Sequence, residues 1–407
     1  MHRWAHFLML EGVRWARGTS RRRRVGAALL AWVLTFGAMR AVVLHPERCG
    51  TVTTDRLDGA IDEAVAWAGR TLRSDGTWIY RYNAGTDTDA GIYELVRHSG
   101  LTMALYQAAA AGHPDARAIA EQADTYARTN LVARDGWQAL APLVPGEHYD
   151  IGATSLFLNA LLYRRTVTAS TADDALLTDL GRFLLTNIAP SGAVAANWDP
   201  GTGAPVVGAS SPFYTGEALW ALTRLERVLP GEWREPALRV ARYIATARDE
   251  AEHRFPDVAD HWAAYALAEL AHWPGTSVLD EELTAYARHV GELESLSIRY
   301  ESQRTGSTFS RLARGQIALG AGVGALTEAL ASLRSVPALS ATDSLRDRSL
   351  CGAGVLLDRQ TTATEAERYP NPERARGAWI REGQTQIDDQ QHALSALLLI
   401  RDLQATP

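Results

Sequence analysis

DGTWIYRYNAGTDTDAGIYELVRHSGLTMALYQAAAAG, Asp75 to Gly112, sets the grammar of the chain. It opens on a turn dipeptide, Asp75-Gly76, and continues through an aromatic alternation, Trp78, Tyr80 and Tyr82. A helix is predicted next, over 90–111. Tyr93, Glu94, Arg97 and His98 occupy its first turns, and small apolar residues form the body behind them. The same order recurs about five more times: a helix, a loop with glycine and aromatic residues, then a helix that opens on polar groups.

Working outward, Ile61, Ala64, Val65, Ala68 and Leu72 keep helical spacing ahead of this stretch. Further helices are predicted over 114–132, 153–165, 173–188, 216–229, 233–248, 262–272, 278–296, 316–333, 342–357 and 387–403. That gives about twelve helices in six pairs, with a period of roughly 55–60 residues and almost no long strands. Helical hairpins at a fixed period build an open solenoid or a closed ring. Long aromatic loops favour the ring, so the expected fold is all-α, an (α/α)6 toroid of inner and outer helices over 46–407. No low-complexity linker divides that span.

The N-terminus has a different composition. Arg21 to Arg24 form a basic block, and Val25 to Leu44 form an apolar run interrupted by Arg40. Such a run is long enough to span a bilayer, and the positive-inside rule orients it. The expected layout is a basic cytoplasmic segment at 1–24, a transmembrane signal anchor at 25–45 and the toroid beyond. The protein would then be single-pass in an inner membrane, with its C-terminal domain periplasmic or extracellular. A cleaved signal peptide is the rival reading. Cys49 and Cys351 are the two cysteines; they make no metal pattern or disulfide framework, and their pairing stays open.

Composition excludes some chemistry. The chain contains no lysine, so all 41 Lys/Arg positions are arginine, which rules out Schiff bases and the P-loop lysine. A net charge of −6 gives no basic footprint for nucleic acid. No motif calls for a cofactor, and neither HExxH nor CxxC is present.

In a ring of hairpins, the loops and first turns of the inner helices share one face. Polar groups concentrate there: Tyr93, Glu94, Arg97 and His98; Tyr149 and Asp150; Tyr214 and Glu217; Asp260, His261 and Trp262; Asp388, Asp389 and His392. Carboxylates, histidines, arginines and aromatics at one cavity mouth fit a carbohydrate site, where paired carboxylates do acid–base work. Glu217, Asp260, Asp389 and Glu94 are the candidate acids and bases. Tyr93, Arg97, His98, Tyr149, Asp150, Tyr214, His261, Trp262, Asp388 and His392 are the candidate substrate contacts. Carboxylates at these positions also serve as helix caps, and the histidines also suit buried packing. A mixed set from His98, Asp260, His261, Asp389 and His392 is the candidate for a metal, though no metal is expected.

The loops DGTWIYRYN, SSPFYTGEALWAL, PDVADHWAAYAL and GAWIREGQTQIDDQQHALSALL, with the hairpin period, resemble the six-hairpin (α/α)6 toroid superfamily. That superfamily includes glycoside hydrolases, sugar epimerases and some polysaccharide lyases. The resemblance covers about 55–404 and implies a fold and a saccharide partner, and it transfers no catalytic residue. The leading expectation is hydrolysis of an envelope or exported polysaccharide. The alternatives are uronic acid C5 epimerisation or β-elimination, and a non-catalytic glycan-binding subunit assembled with other envelope proteins.

Overall fold

The computed structural model describes residues 21–42, 46–252, 260–274 and 279–405. The chain divides into two compact units, one drawn from Met1–Glu47 with Gln303–Gln316, the other from Arg48–Ser302 with Ile317–Pro407. The smaller unit contains helix α1, Arg21–Val42, and a seven-residue helix, Thr308–Arg314. Among the described residues no helix is long and apolar enough to cross a membrane. The transmembrane span expected at 25–45 is therefore not found there. The helix forms, but Arg21–Arg24 and Arg40 lie within its 22 residues. The remainder of the expected cytoplasmic segment, 1–20, and residues 43–45 fall outside the described residues.

The larger unit holds twelve long helices among its described residues, and they form six hairpins. The outer helices are α2 (Thr54–Thr71), α4 (Asp115–Thr129), α6 (Asp174–Thr186), α8 (Arg234–Thr246), α10 (Glu281–Ser302) and α12 (Asp343–Arg359). The inner helices are α3 (Leu95–Ala110), α5 (Ile151–Thr168), α7 (Tyr214–Val228), α9 (His261–Ala271), α11 (Gly320–Arg334) and α13 (Ile387–Ala405).

Sequence decides which helix goes where. Outer helices carry a single apolar stripe, as in α4, where Ala116, Ala120, Ala123 and Ala127 are buried and the rest faces solvent. Inner helices are apolar all round; α3 is buried without a break from His98 to Ala108. Each inner helix packs on the next, α3 on α5, then α7, α9, α11 and α13, and α13 closes back on α3. Every inner helix follows a loop from an outer one, so all six run the same way and present their first turns to one end.

Small sheets brace that end. Strands β1 (Arg81–Asn83) and β2 (Thr88–Asp89) form a hairpin, β3 (Leu131–Arg134) pairs with β4 (Trp137–Leu140), and β5 (Tyr149–Asp150), β6 (Asn197–Asp199) and β7 (Ala204–Pro205) make a third group. Strand β8 (Gln384–Gln386) pairs antiparallel with β1, so loops from the two ends of the chain meet in one sheet. A disulfide joins Cys49 to Cys351 on α12.

Candidate active site

Three inner helices meet at a buried acid–base cluster. Asp260 caps α9 by accepting from the Ala263 N–H at 3.2 Å, and Arg248 donates to it at 2.6 Å in a buried ion pair. This sets His261 at the start of the helix, with its ring edge-on to His392 at 4.9 Å between centroids. His392 lies on α13, and its Nδ1 meets Glu328 Oε2 of α11 at 2.7 Å. The Tyr265 hydroxyl donates to the other Glu328 oxygen at 3.2 Å. Two glycines let α11 come this close. A Cβ on Gly324 would lie 2.5 Å from the His392 carbonyl carbon, and one on Gly320 would overlap the Asp389 carbonyl oxygen.

The two histidines are driven apart electrically. Burial alone would lower His392, but the Glu328 carboxylate, helped by Asp388 and Asp389, outweighs it and holds the imidazole up at about 9. Burial, then repulsion from His392, pushes His261 well below the ordinary histidine range. His261 Nε2 finds no hydrogen-bond partner among the described residues.

Asp388 links this cluster to a polar rim. Its Oδ1 lies 3.7 Å from His392 Nε2, and its Oδ2 lies 3.4 Å from Arg97 Nε. Arg97 also binds Glu94 at 3.0 Å and the Tyr80 hydroxyl, which itself donates to Glu94 at 2.8 Å. Helix α3 starts at Leu95, with Glu94 as its N-cap residue, not at 90 as the periodicity predicts. Strand β2 and Gly91, at φ +69°, hold the intervening chain out of the helix.

Glu217 is buried on α7, beside Gly152 of α5, where a Cβ would overlap its Oε2. That oxygen has no hydrogen-bond partner among the described residues. Burial, then the charge of Asp260, pushes its carboxyl well above the usual range, with Asp388 and Asp150 adding to the shift. Asp150 accepts from Asn197 Nδ2 at 2.8 Å across the β5–β6 pair. Tyr214 is half-buried near Asp150 and Glu217; burial first, and those charges next, raise its phenol.

The other candidates have different engagements. His98 is fully buried between α3 and α4, bound to Tyr93 Oη at 2.7 Å and the Ala123 carbonyl at 3.0 Å, and burial lowers it to about 4. Tyr93 also accepts from the Trp78 N–H at 3.1 Å, so both residues pack the first hairpin. Tyr149 lies against Trp198 at 5.3 Å. Trp262 is buried in a stack with Trp220 and Tyr265, and only its contacts with His261 and His392 bring it to the site. Asp389 accepts from the Ala321 N–H at 3.0 Å and the Gln386 N–H at 3.2 Å, which commits both oxygens. Asp260 is committed to Arg248.

Sequence reasoning missed Glu328, Tyr265 and Tyr80. Glu328 had a usable signal, being the lone charge in GAGVGALTEALASL, a segment otherwise read as apolar body.

His261, Glu328 and His392 each offer one metal-ligand atom, all within 4.8 Å of one another. This is the composition of a two-histidine, one-carboxylate centre. Both Glu328 oxygens are already partnered, by Tyr265 and His392, while His261 Nε2 stays unpartnered among the described residues. His98, Asp260 and Asp389, the other residues considered for a metal, are engaged elsewhere.

No protein-family model matches the chain, and no curated protein does. Solved structures do match. A family 76 glycoside hydrolase, a mannosidase from Bacteroides thetaiotaomicron, superposes with a TM-score of 0.61 at 10% identity, over 86% of this chain and 99% of its own. Cellobiose 2-epimerase from Spirochaeta thermophila gives 0.60 at 13% identity, covering 86% of this chain and 98% of the epimerase. A D-mannose isomerase gives 0.58 at 12% identity, with 86% and 98% covered. The fold is an (α/α)6 toroid. The superfamily resemblance in the loops and hairpin period holds at the level of fold, and at these identities the likeness carries no more than that.

Proposed function

We propose that this protein is a sugar epimerase or isomerase that moves a proton at the carbon next to a sugar carbonyl. The observation behind this reading is the histidine pair, 4.9 Å between centroids, with His392 held protonated by Glu328 and His261 held neutral by burial. Two neighbouring groups with opposite protonation states supply a base and an acid. On an open-chain sugar, His261 takes the carbon-bound proton and His392 gives a proton to the carbonyl oxygen, which leaves an enediol. Return of a proton to the opposite face of the same carbon gives the epimer; return to the neighbouring carbon, with loss of the proton on the adjacent hydroxyl, gives the isomer. Arg97, Asp388, Glu94, Asp150 and Tyr214 bind hydroxyls around it. Sugar epimerases and isomerases occur among the structural neighbours beside glycoside hydrolases, so the fold is compatible with the reading.

The second reading is glycoside hydrolysis. It is favoured by Glu217, a buried carboxyl raised well above its usual range, with Asp388 as the base. Asp260 and Asp389 serve it poorly, because their oxygens are committed. The Cys49–Cys351 disulfide supports work in an oxidising compartment outside the cytoplasm, and so does a basic block before an apolar run.

The test is nuclear magnetic resonance of mannose, glucose and cellobiose incubated with the protein in deuterated water. Deuterium at C2 together with a new epimer or ketose is expected. New reducing ends without deuterium at carbon would favour hydrolysis. Wild-type protein that exchanges none of these protons would overturn the proposal.

A further inference from the structure

A cavity of about 320 Å³ opens beside the first turn of α13, with Asp389, the neighbour of Asp388, in its lining. Arg81, Arg381, Gln384, Gln386 and Asp389 line it. The sheet register explains why these polar side chains converge. Arg81 of β1 stands directly opposite Gln386 of β8, and Arg381 opposite Gln384 in the tight turn that precedes β8. Directly opposed residues share a face, and Gln384 and Gln386, two apart, share it too. The other face carries Tyr82 opposite Thr385, both buried. The turn is held by Glu382 at φ +53° and Gly383 at φ +78°, the geometry of a two-residue hairpin loop. Glu382 is a non-glycine residue there, and strain of that kind concentrates at functional sites.

The cavity is already anchored where it needs rigidity. Arg381 donates to the Ile317 carbonyl at 2.9 Å, and Asp389 ties the α11 and β8 backbones together. The Arg81 guanidinium makes no side-chain hydrogen bond or ion pair among the described residues. Two guanidinium groups and two primary amides on one rigid face offer many donors and several acceptors, which suits the hydroxyls and ring oxygen of a sugar.

We infer that this cavity binds a second sugar unit, so that the substrate is a disaccharide or longer, with its reducing unit at His261 and His392. The inference rests on the saccharide reading of the histidine site and deepens it by fixing the substrate's minimum length. The second unit adds binding away from the reacting carbon, which is the use expected of remote contacts.

Calorimetric binding separates the two claims, because it does not need turnover. The probes are cellobiose against glucose, and β-1,4-mannobiose against mannose, with wild type, Arg81→Ala and Gln386→Ala. At least one disaccharide should bind wild type about ten-fold or more tightly than its monosaccharide. In Arg81→Ala the ratio of those two affinities should fall about ten-fold, the size of one hydrogen bond to a charged group. Gln386→Ala should move the ratio in the same direction, which guards against one variant failing to fold. Disaccharides that bind wild type no better than monosaccharides would overturn the inference, as would variants that weaken both sugars equally. If disaccharides bind selectively but no proton is exchanged, the enzymatic reading fails and the subsite stands.

Discussion

At the level of single atoms, the Glu328 carboxylate beside His392 Nδ1 favours the charged imidazole. It is the largest influence raising that imidazole, to about 9, against burial. Activity that needs charged His392 should therefore hold through neutral pH and fall as pH rises through about 9. Glu328→Gln keeps the shape and removes the charge, so the alkaline limb of the pH–rate profile should move down by a unit or more. An unmoved limb would mean that Glu328 only packs. Glu217 allows a second test. Its folded-state carboxyl is raised, so the fold holds a proton that the unfolded chain releases above about 4.5. Stability from this group is complete at acid pH and is lost as pH rises through the folded value. Glu217→Gln removes that loss, and thermal melts should show the variant gaining on wild type as pH rises above about 4.5. His98 works with the opposite sign. Burial lowers it from 6.5 to about 4, so its contribution is complete above 6.5 and is lost as pH falls through about 4. Denaturant melts of His98→Gln should show a shallower loss of stability over that acid window than wild type shows.

Helices show why the fold was legible and the site only in part. All twelve helices of the ring were readable from period, because a buried stripe on an outer helix and an all-round apolar inner helix leave different marks on a sequence. The polar first turns were readable for the same reason. Which of those polar residues meet a substrate was not, because capping and catalysis use the same residue types at the same positions. Asp260 and Asp389 turned out to hold backbone N–H groups, and no spacing rule separates them from Asp388 next door. Glu328 escaped notice because its partners lie on other helices, and its distance from the loop hid its link to His392. The same close approach of α11 and α13 gives a prediction at this scale. Gly324→Ala places a methyl against the His392 backbone, which cannot give way as a flexible side chain would. We expect a loss of about 2 kcal/mol in chemical denaturation, typical of overpacking. Activity should also fall at temperatures where the variant is still folded, because Glu328 is displaced from His392. Full activity in a destabilised Gly324→Ala protein would show that the helix spacing serves packing alone.

At the scale of the whole ring, the disulfide ties Cys49 to a residue 302 positions away. A bridge that closes so long a loop restricts the unfolded chain strongly, and removing one commonly costs about 2–4 kcal/mol. Cys351→Ser should lower the denaturation midpoint by a corresponding amount and leave the sugar affinities of the folded protein unchanged. An unchanged midpoint would show that the ring is closed by packing alone. The meeting of β1 with β8, and of α13 with α3, also orders events in time. Asp388 and His392 lie on the last helix, so a chain growing from its N-terminus completes five hairpins before the acid–base cluster is assembled. Until then the flanks of α3 and α11 lie open, and the contacts that cover them are among the most distant in the sequence. Such pairings form slowly, after local helices are in place. The polar cluster is therefore incomplete until the last helix is made, and a nascent chain depends on whatever shields two apolar flanks until its final residues arrive.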